Sequence, residues 1–338
     1  MLTRWVNSNM VEINPKRRSI SDSADLSLVS NGKQYELNAS ASNIDGLLHR
    51  FVVFIDATPN TARTYKTSLR QWFKYMYEQG IRNPDPDDVR NYRTYLKKAG
   101  KKPTTVQNYI IAVKQFFKWT EAEGLYPNVA KYVKGAKLSK SFKKDYLTSR
   151  QARKVLEDID RSNLLGKRNY AMLILMLTMG LRTIEVSRAN VEDIRNSGDS
   201  TVLYVQGKGH TEKDAMVRMP SVVEDAIRDY LKARKSSSLT EPLFTSTSNN
   251  NKGKRLTTRT IRGTVKRCFI KAGFDSPKLT AHSTRHTTAT LSLLNGATLQ
   301  QTQALLRHKN MQTTEIYAHN IQASKNPASN DVANAIFN

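Results

Sequence analysis

Apolar residues recur with helical spacing in four stretches between Ile44 and about Lys134. Leu47, Leu48, Phe51 and Ile55 form the first stripe. Tyr65, Leu69, Trp72, Phe73 and Met76 form the second, at i, i+4, i+7, i+8 and i+11, and Gly80 closes it. Val89, Tyr92 and Leu96 follow the start signal Asp85-Pro86-Asp87, with Gly100 behind. Val106, Tyr109, Ile110, Val113, Phe116 and Phe117 form the fourth, opened by Thr104 and Thr105 and ended near Gly124. Stripes of this period, with caps and short loops between them, predict a four-helix domain over residues 44–134. The aromatic residues in them read as core rather than as platforms for stacking bases.

The flanking segments differ in kind. Residues 1–43 are polar, rich in Ser and Asn, and aperiodic, with a basic cluster at Lys16-Arg17-Arg18; a flexible or accessory segment is expected. Residues 135–145 carry Lys137, Lys140, Lys143 and Lys144 among Gly and Ser, the composition of a basic linker. A second domain is expected over 146–325. In it Thr148 or Ser149 caps a first helix, and Tyr170 to Met179 is a buried helix ended by Gly180. Thr201 to Gln206 and Ala215 to Met219 alternate as the arms of a β-hairpin, with Gly207-Lys208-Gly209 after the first arm. Helices fit Val222–Ala233, Thr258–Ala272, Ser283–Asn295 and Leu299–Arg307. The fold class is therefore mainly α with a small β-sheet. Residues 326–338 form a C-terminal tail whose Val332, Ala333, Ile336 and Phe337 make a short apolar stripe.

Charge narrows the partner. Among 338 residues, 54 Lys and Arg stand against 29 Asp and Glu, a net +25. Such an excess repels itself unless an anion screens it, so nucleic acid is the leading partner and an anionic membrane surface the second. Lys66, Arg70 and Lys74 recur at i, i+4, i+8 opposite the apolar stripe, with Arg93, Lys97, Lys101 and Lys102 nearby and few acids between. They read as a face that tracks phosphates, which Lys140 of the linker extends. The single cysteine, Cys268, excludes an internal disulfide framework and reads as core. The most apolar run, Ala171 to Met179, is too short to span a bilayer, and Met1 to Met10 holds no secretory h-region. A soluble, intracellular protein that binds a polyanion is expected. No Walker-type loop supports ATP use, and no cofactor or metal is expected.

Three clusters hold the chemistry. The first is Gly180-Leu181-Arg182-Thr183-Ile184-Glu185, the second Gly207-Lys208-Gly209. The third is spread over His282-Ser283-Thr284-Arg285-His286-Thr287, Leu305-Leu306-Arg307-His308 and Thr314-Glu315-Ile316-Tyr317-Ala318-His319. Four of the six histidines lie between 282 and 319. On these residues the chain resembles the tyrosine recombinases, the integrase family that includes phage integrases and Xer-type recombinases. The family pattern is an arginine after G-L, a hairpin lysine, H-x-x-R, a late histidine or tryptophan, and a tyrosine. It falls on Arg182, Lys208, His282, Arg285, His308 and Tyr317, in the family's order. Arg285 stands 23 residues before His308, and Tyr317 stands 9 after it, separations that also match. Two departures are visible: the usual L-G-H reads Leu306-Arg307-His308, where the bulk of Arg307 bears on the turn, and Thr284 replaces a common Leu or Phe.

The resemblance implies an N-terminal SAM-like core-binding domain and a mixed α+β catalytic domain that transfers phosphoryl groups without metal or ATP. Arg182 and Arg285 would clamp the non-bridging oxygens as permanently charged, planar donors, with His308 as a third. Tyr317 would attack phosphorus; its free pKa of ~10 calls for a nearby base, for which His282 is the candidate. Lys208 would protonate the leaving 5′ oxygen, and the product would be a 3′-phosphotyrosyl link. The expected partners are double-stranded recombination sites and three further copies of the chain. Without DNA the protein would associate weakly or stay monomeric, and an accessory directionality factor fits the same scheme. The setting would be a mobile element, and the tail would exchange between protomers.

Read one at a time, the same residues have plainer uses. Arg182 could be a helix-end charge, Lys208 a turn lysine (Lys213 being a lesser candidate for its task), and Tyr317 a packing residue. Glu185 reads as a structural acid that orients an arginine, and His286 as a residue packed behind the site. His282 and His286 at i, i+4 make a poor zinc site, lacking the glutamate of H-E-x-x-H. Two other functions are weighed: a type IB topoisomerase, which shares similar chemistry, and a catalytically silent DNA-binding protein.

Overall fold

The apolar periods described above close on themselves in a computed structural model, which describes residues 27–30, 33–36, 41–137, 145–207 and 211–337. The chain divides into two units, Met1–Lys140 and Ser141–Asn338.

In the first unit a hairpin, β1 (Ser27–Ser30) and β2 (Lys33–Glu36), pairs antiparallel with Ser30 opposite Lys33. It lies within the stretch expected to be flexible or accessory. Four helices follow: α1 (Ala41–Phe54), α2 (Pro59–Gln79), α3 (Pro86–Lys98) and α4 (Pro103–Ala122). Three of them open on proline, whose missing N–H costs nothing in a first turn. Asp85 caps α3 by accepting from the backbone N–H groups of Asp87 and Asp88. The aromatic stripes meet in the core: Phe73 packs edge-on against Phe116 at 5.4 Å, and Trp72 against Tyr92 at 5.0 Å. They are buried, as core residues and not as base platforms. Most of the linker expected over 135–145, residues 138–144, lies outside the described residues.

The second unit opens with α5 (Ser149–Glu157), capped by Thr148 in a reciprocal box with Gln151. Next come α6 (Leu164–Met179) and α7 (Thr183–Arg188). A three-stranded antiparallel sheet follows in the order β3 (Ile194–Ser197), β4 (Ser200–Val205), β5 (Ala215–Arg218). The remainder is helical: α8 (Ser221–Arg234), α9 (Thr258–Lys271), α10 (Ala281–Leu294), α11 (Leu299–Leu306), α12 (Gln312–Lys325) and α13 (Ala328–Phe337). The hub is α6, buried on every side from Ala171 to Leu177, and α8 and α10 pack against it. The hairpin read from sequence is the β4–β5 pair. The third strand, β3, was not expected, because Arg195, Asn196 and Ser197 are exposed and show no apolar alternation. α7 also escaped the pattern, being six residues long with little room for a period. No helix of the described residues is long and apolar enough to cross a membrane.

Candidate active site

The site grows from the end of α6. Gly180 leaves the helix at φ 60°, a left-handed turn that glycine adopts without strain. A Cβ there would come within 2.5 Å of Leu306 Cδ2, so the last residue of α11 packs straight onto the turn. Arg285, in the second turn of α10, bridges the two segments. Its Nη1 donates to Gly180 O at 2.6 Å and its Nη2 to Leu306 O. Arg285 is 1% exposed. Burial, then repulsion from Arg182 and Arg307, pushes its guanidinium down to about 9, so it stays cationic at neutral pH.

Arg182 precedes α7, and Glu185 reaches back to it in capping-box fashion. The carboxylate accepts from Arg182 N (2.8 Å) and Arg182 Nη1 (2.8 Å), and from Arg307 Nη2 (2.7 Å). Glu185 itself is buried. Burial alone would raise its carboxyl, but Arg307 and Arg182 together outweigh that and hold it below the ordinary value. Arg307, expected only as bulk before His308, is thus a third guanidinium in the cluster.

His308 follows directly. Its Nδ1 shares a hydrogen bond with Thr314 Oγ1 at 2.9 Å, leaving Nε2 as the other ring nitrogen. Burial, reinforced by Arg285, Arg182 and Arg307, pushes the imidazole down to about 4. Tyr317, on α12, is 4% exposed, and its ring lies nearly parallel to that of His308 with centroids 6.5 Å apart. Its hydroxyl meets His286 Nδ1 at 2.7 Å, and the His286 ring abuts that of His282 at 4.7 Å. The histidine on the phenol is therefore His286, one helical turn beyond His282. Burial pushes the Tyr317 phenol up to about 12 against the opposing pull of Arg285.

One protomer thus brings together Arg182, His282, Arg285, His308 and Tyr317. Lys208 lies outside the described residues. Beside it, Arg188 Nη1 at the end of α7 donates to Gly207 O at 2.9 Å. Lys213 is tethered to buried Asp193 at 2.6 Å, which gives it a structural task. Sequence reasoning undervalued His286, Arg307 and Thr314. The first two adjoin motif residues, and adjacency was the signal available.

The residues expected to meet DNA lie on α2, α3 and the turn after α3, except Lys140, which is outside the described residues. Lys74, Lys97, Lys101 and Lys102 are exposed and Lys66 is half-buried. Arg70 pairs with Asp45 at 2.9 Å, an exposed contact that a phosphate can displace. Arg93 is engaged otherwise: its Nη1 donates to Lys134 O at 2.5 Å and braces the segment after α4.

The His308 shift has a sign that can be checked. Folding lowers its pKa, so the unfolded chain takes up the proton first as pH falls. The stability it contributes is complete above pH 6.5 and is lost as pH drops toward 4. NMR titration should place the imidazole near 4, and His308→Gln should flatten the stability loss between these limits. A titration at or above 6.5 would contradict the burial described here.

Comparison with known proteins bears on most of the chain. Residues 145–323 match the model of the phage integrase family, and residues 54–124 match that of the phage integrase N-terminal SAM-like domain. Tyrosine recombinase XerA of Pyrococcus horikoshii is 31% identical over 274 residues, covering 80% of this chain and 88% of that protein. Tyrosine recombinase XerC of Thermodesulfovibrio yellowstonii is 30% identical over 268 residues, 77% of this chain and 85% of that one. In fold, the chain resembles XerH site-specific recombinase in a post-cleavage complex on its palindromic difH substrate. There the TM-score is 0.69 at 22% identity, over 86% of this chain and 84% of that one. A lambda integrase tetramer bound to a Holliday junction matches at TM-score 0.63 and 15% identity, over 81% and 76%. With a family model matching more than half its length around an assembled cluster of arginines, histidines and a tyrosine, this chain belongs to the phage integrase family and is a tyrosine-type site-specific recombinase.

Proposed function

We propose that the chain cuts and rejoins double-stranded DNA through a covalent bond to Tyr317, in the service of a mobile element. The observation that carries this reading is that Tyr317 lies in the same protomer's cluster as His308, close enough for Arg285 to act on its phenol. A phosphodiester gains negative charge in the transition state, and fixed guanidiniums aimed at it need no reorganisation. Arg285 has five N–H donors and spends two on carbonyls, which leaves donors for a non-bridging oxygen. Arg182, bound to Glu185 through one guanidinium nitrogen, offers the second contact, and His308 Nε2 the third.

At rest the phenol is neutral, with its acidity suppressed by burial. Attack requires that its proton leave as the oxygen bonds to phosphorus. His286 Nδ1 is in place to take that proton, with His282 packed behind it. As the Tyr317 oxygen bonds to phosphorus, the bond from phosphorus to the 5′ oxygen breaks. Lys208 supplies the proton that this oxygen needs. The phosphoester bond is conserved in the 3′-phosphotyrosyl link, so religation needs no nucleotide. Lys66, Lys74, Lys97, Lys101 and Lys102 bind the phosphate backbone, which makes affinity fall steeply with salt.

Four protomers on two duplexes are the proposed working unit, by analogy with the lambda integrase tetramer on a Holliday junction. α13 supports such an assembly: Val332, Ile336 and Phe337 are 59%, 67% and 83% exposed, an apolar stripe that a second copy of the chain would cover. The Xer recombinase relatives and the helical domain ahead of the catalytic one favour recombination over relaxation by a topoisomerase, and the catalytic residue types argue against a silent DNA-binding protein.

Two results are expected. With a nicked suicide substrate, the wild-type chain should form a covalent adduct and Tyr317→Phe none, while both bind the same DNA with similar affinity. An adduct from the phenylalanine variant would show that another residue is the nucleophile. Deleting residues 328–338 should leave single-site cleavage intact but weaken pairing of two sites in a mobility-shift assay; unchanged pairing would reject the exchange.

A further inference from the structure

We infer that Arg307 is a positioning residue of the strand-cleavage reaction: by occupying one oxygen of Glu185 it leaves Arg182 a single-sided hold on that carboxylate, and it adds a third positive charge to the cluster. This inference rests on the strand-cleavage reading above.

Four observations meet at this residue. Arg307 sits at φ 54°, ψ 48°, in the left-handed region that a non-glycine side chain resists. The strained residue nonetheless directs its side chain inward, where it is 12% exposed and ion-paired to Glu185 at 2.7 Å. Its main chain serves the cluster as well, since Arg307 O accepts from Arg182 Nη2 at 3.4 Å, and the preceding carbonyl, Leu306 O, accepts from Arg285. Its guanidinium is fixed from a second side by Nη1, which donates to Leu305 O at 2.6 Å, and its Nε is buried with no hydrogen-bond partner among the described residues.

Charge and geometry then follow. Arg182 and Arg285 set against Glu185 leave one net positive charge; Arg307 raises that to two in a site built for a phosphodiester. Arginine and carboxylate commonly pair through two parallel hydrogen bonds. Here Arg307 Nη2 and the Arg182 backbone N–H share Oε2, and the Arg182 guanidinium reaches Glu185 only through Nη1 to Oε1. Apart from the Nη2 contact with Arg307 O, the remaining N–H groups of that guanidinium are available to substrate. The same charge also contributes to holding the His308 imidazole neutral.

The experiment measures first-turnover cleavage of the nicked suicide substrate, and the His308 titration by NMR, in wild type, Arg307→Gly and Arg307→Lys. Glycine suits the left-handed backbone, so Arg307→Gly tests loss of the side chain alone. It should slow cleavage about tenfold or more and move the His308 pKa upward. Arg307→Lys retains the charge without the planar fork, and should recover cleavage to within about threefold while leaving His308 near its original position. Arg307→Gly at wild-type speed, an unmoved His308, or a lysine variant as slow as the glycine variant would overturn the assignment. Absence of any adduct from the wild-type chain would instead reject the strand-cleavage reading beneath it.

Discussion

A single buried carboxylate holds this site together. Glu185 lies between Arg182 and Arg307, and without it guanidiniums would be crowded into a poorly hydrated pocket with no anion among them. Leaving a buried charge without its partner costs about 3–5 kcal/mol, of the order of a whole domain's margin of stability. The pair of carbonyls on Arg285 does the complementary work. Gly180 O and Leu306 O fix that guanidinium between the end of α6 and the end of α11, so the two segments that carry Arg182 and His308 cannot drift apart. The cluster is best understood as a pre-charged cage whose net positive charge waits for a phosphate.

The helix beneath the cage makes that placement rigid. α10 is buried from Ser283 to Thr290, although most of those residues are polar. Buried hydroxyls left without partners would each cost about 1–3 kcal/mol. Here Thr284 donates to Ala281 O and Thr287 to Ser283 O, while Thr288 reaches across to Leu177 O on α6 at 2.8 Å. Leu147 N closes on Thr287 Oγ1, which pins the start of the second unit to the same helix. Thr284 therefore fills a position where an apolar residue is common in the family without leaving a polar atom stranded.

Much of this was legible in the sequence, and the reasons differ by element. The four helices of the first unit announced themselves because each buries one stripe and exposes the other face, which is the condition under which period 3.6 survives in a sequence. α6 was visible as an apolar run, but its opening stretch, Leu164 to Asn169, is broken by Lys167 and Arg168 and carries no such run. β3 and α7 were hidden for lack of length and alternation. In the site, motif order placed Arg182, His282, Arg285, His308 and Tyr317, because chemistry constrains those residue types. The partnership of Tyr317 with His286 was not legible: it depends on how α12 lies across α10, and no local pattern encodes that crossing. Nor did adjacency to His308 tell that Arg307 would turn inward, since exposed arginines look the same in a sequence.

The resting phenol presents the remaining problem. Burial that keeps Tyr317 in place also keeps it protonated, and the cations that would draw the proton off are held by carbonyls and by Glu185 until a phosphate arrives. On this view DNA completes the site rather than merely occupying it, and the covalent bond should form at one phenol only. Tandem mass spectrometry of the peptide–nucleotide adduct, trapped on a nicked substrate and digested, is the most direct test. The 3′ phosphate should be found on Tyr317; a bond to any other residue, or to a 5′ phosphate, would contradict the cage and nucleophile described here.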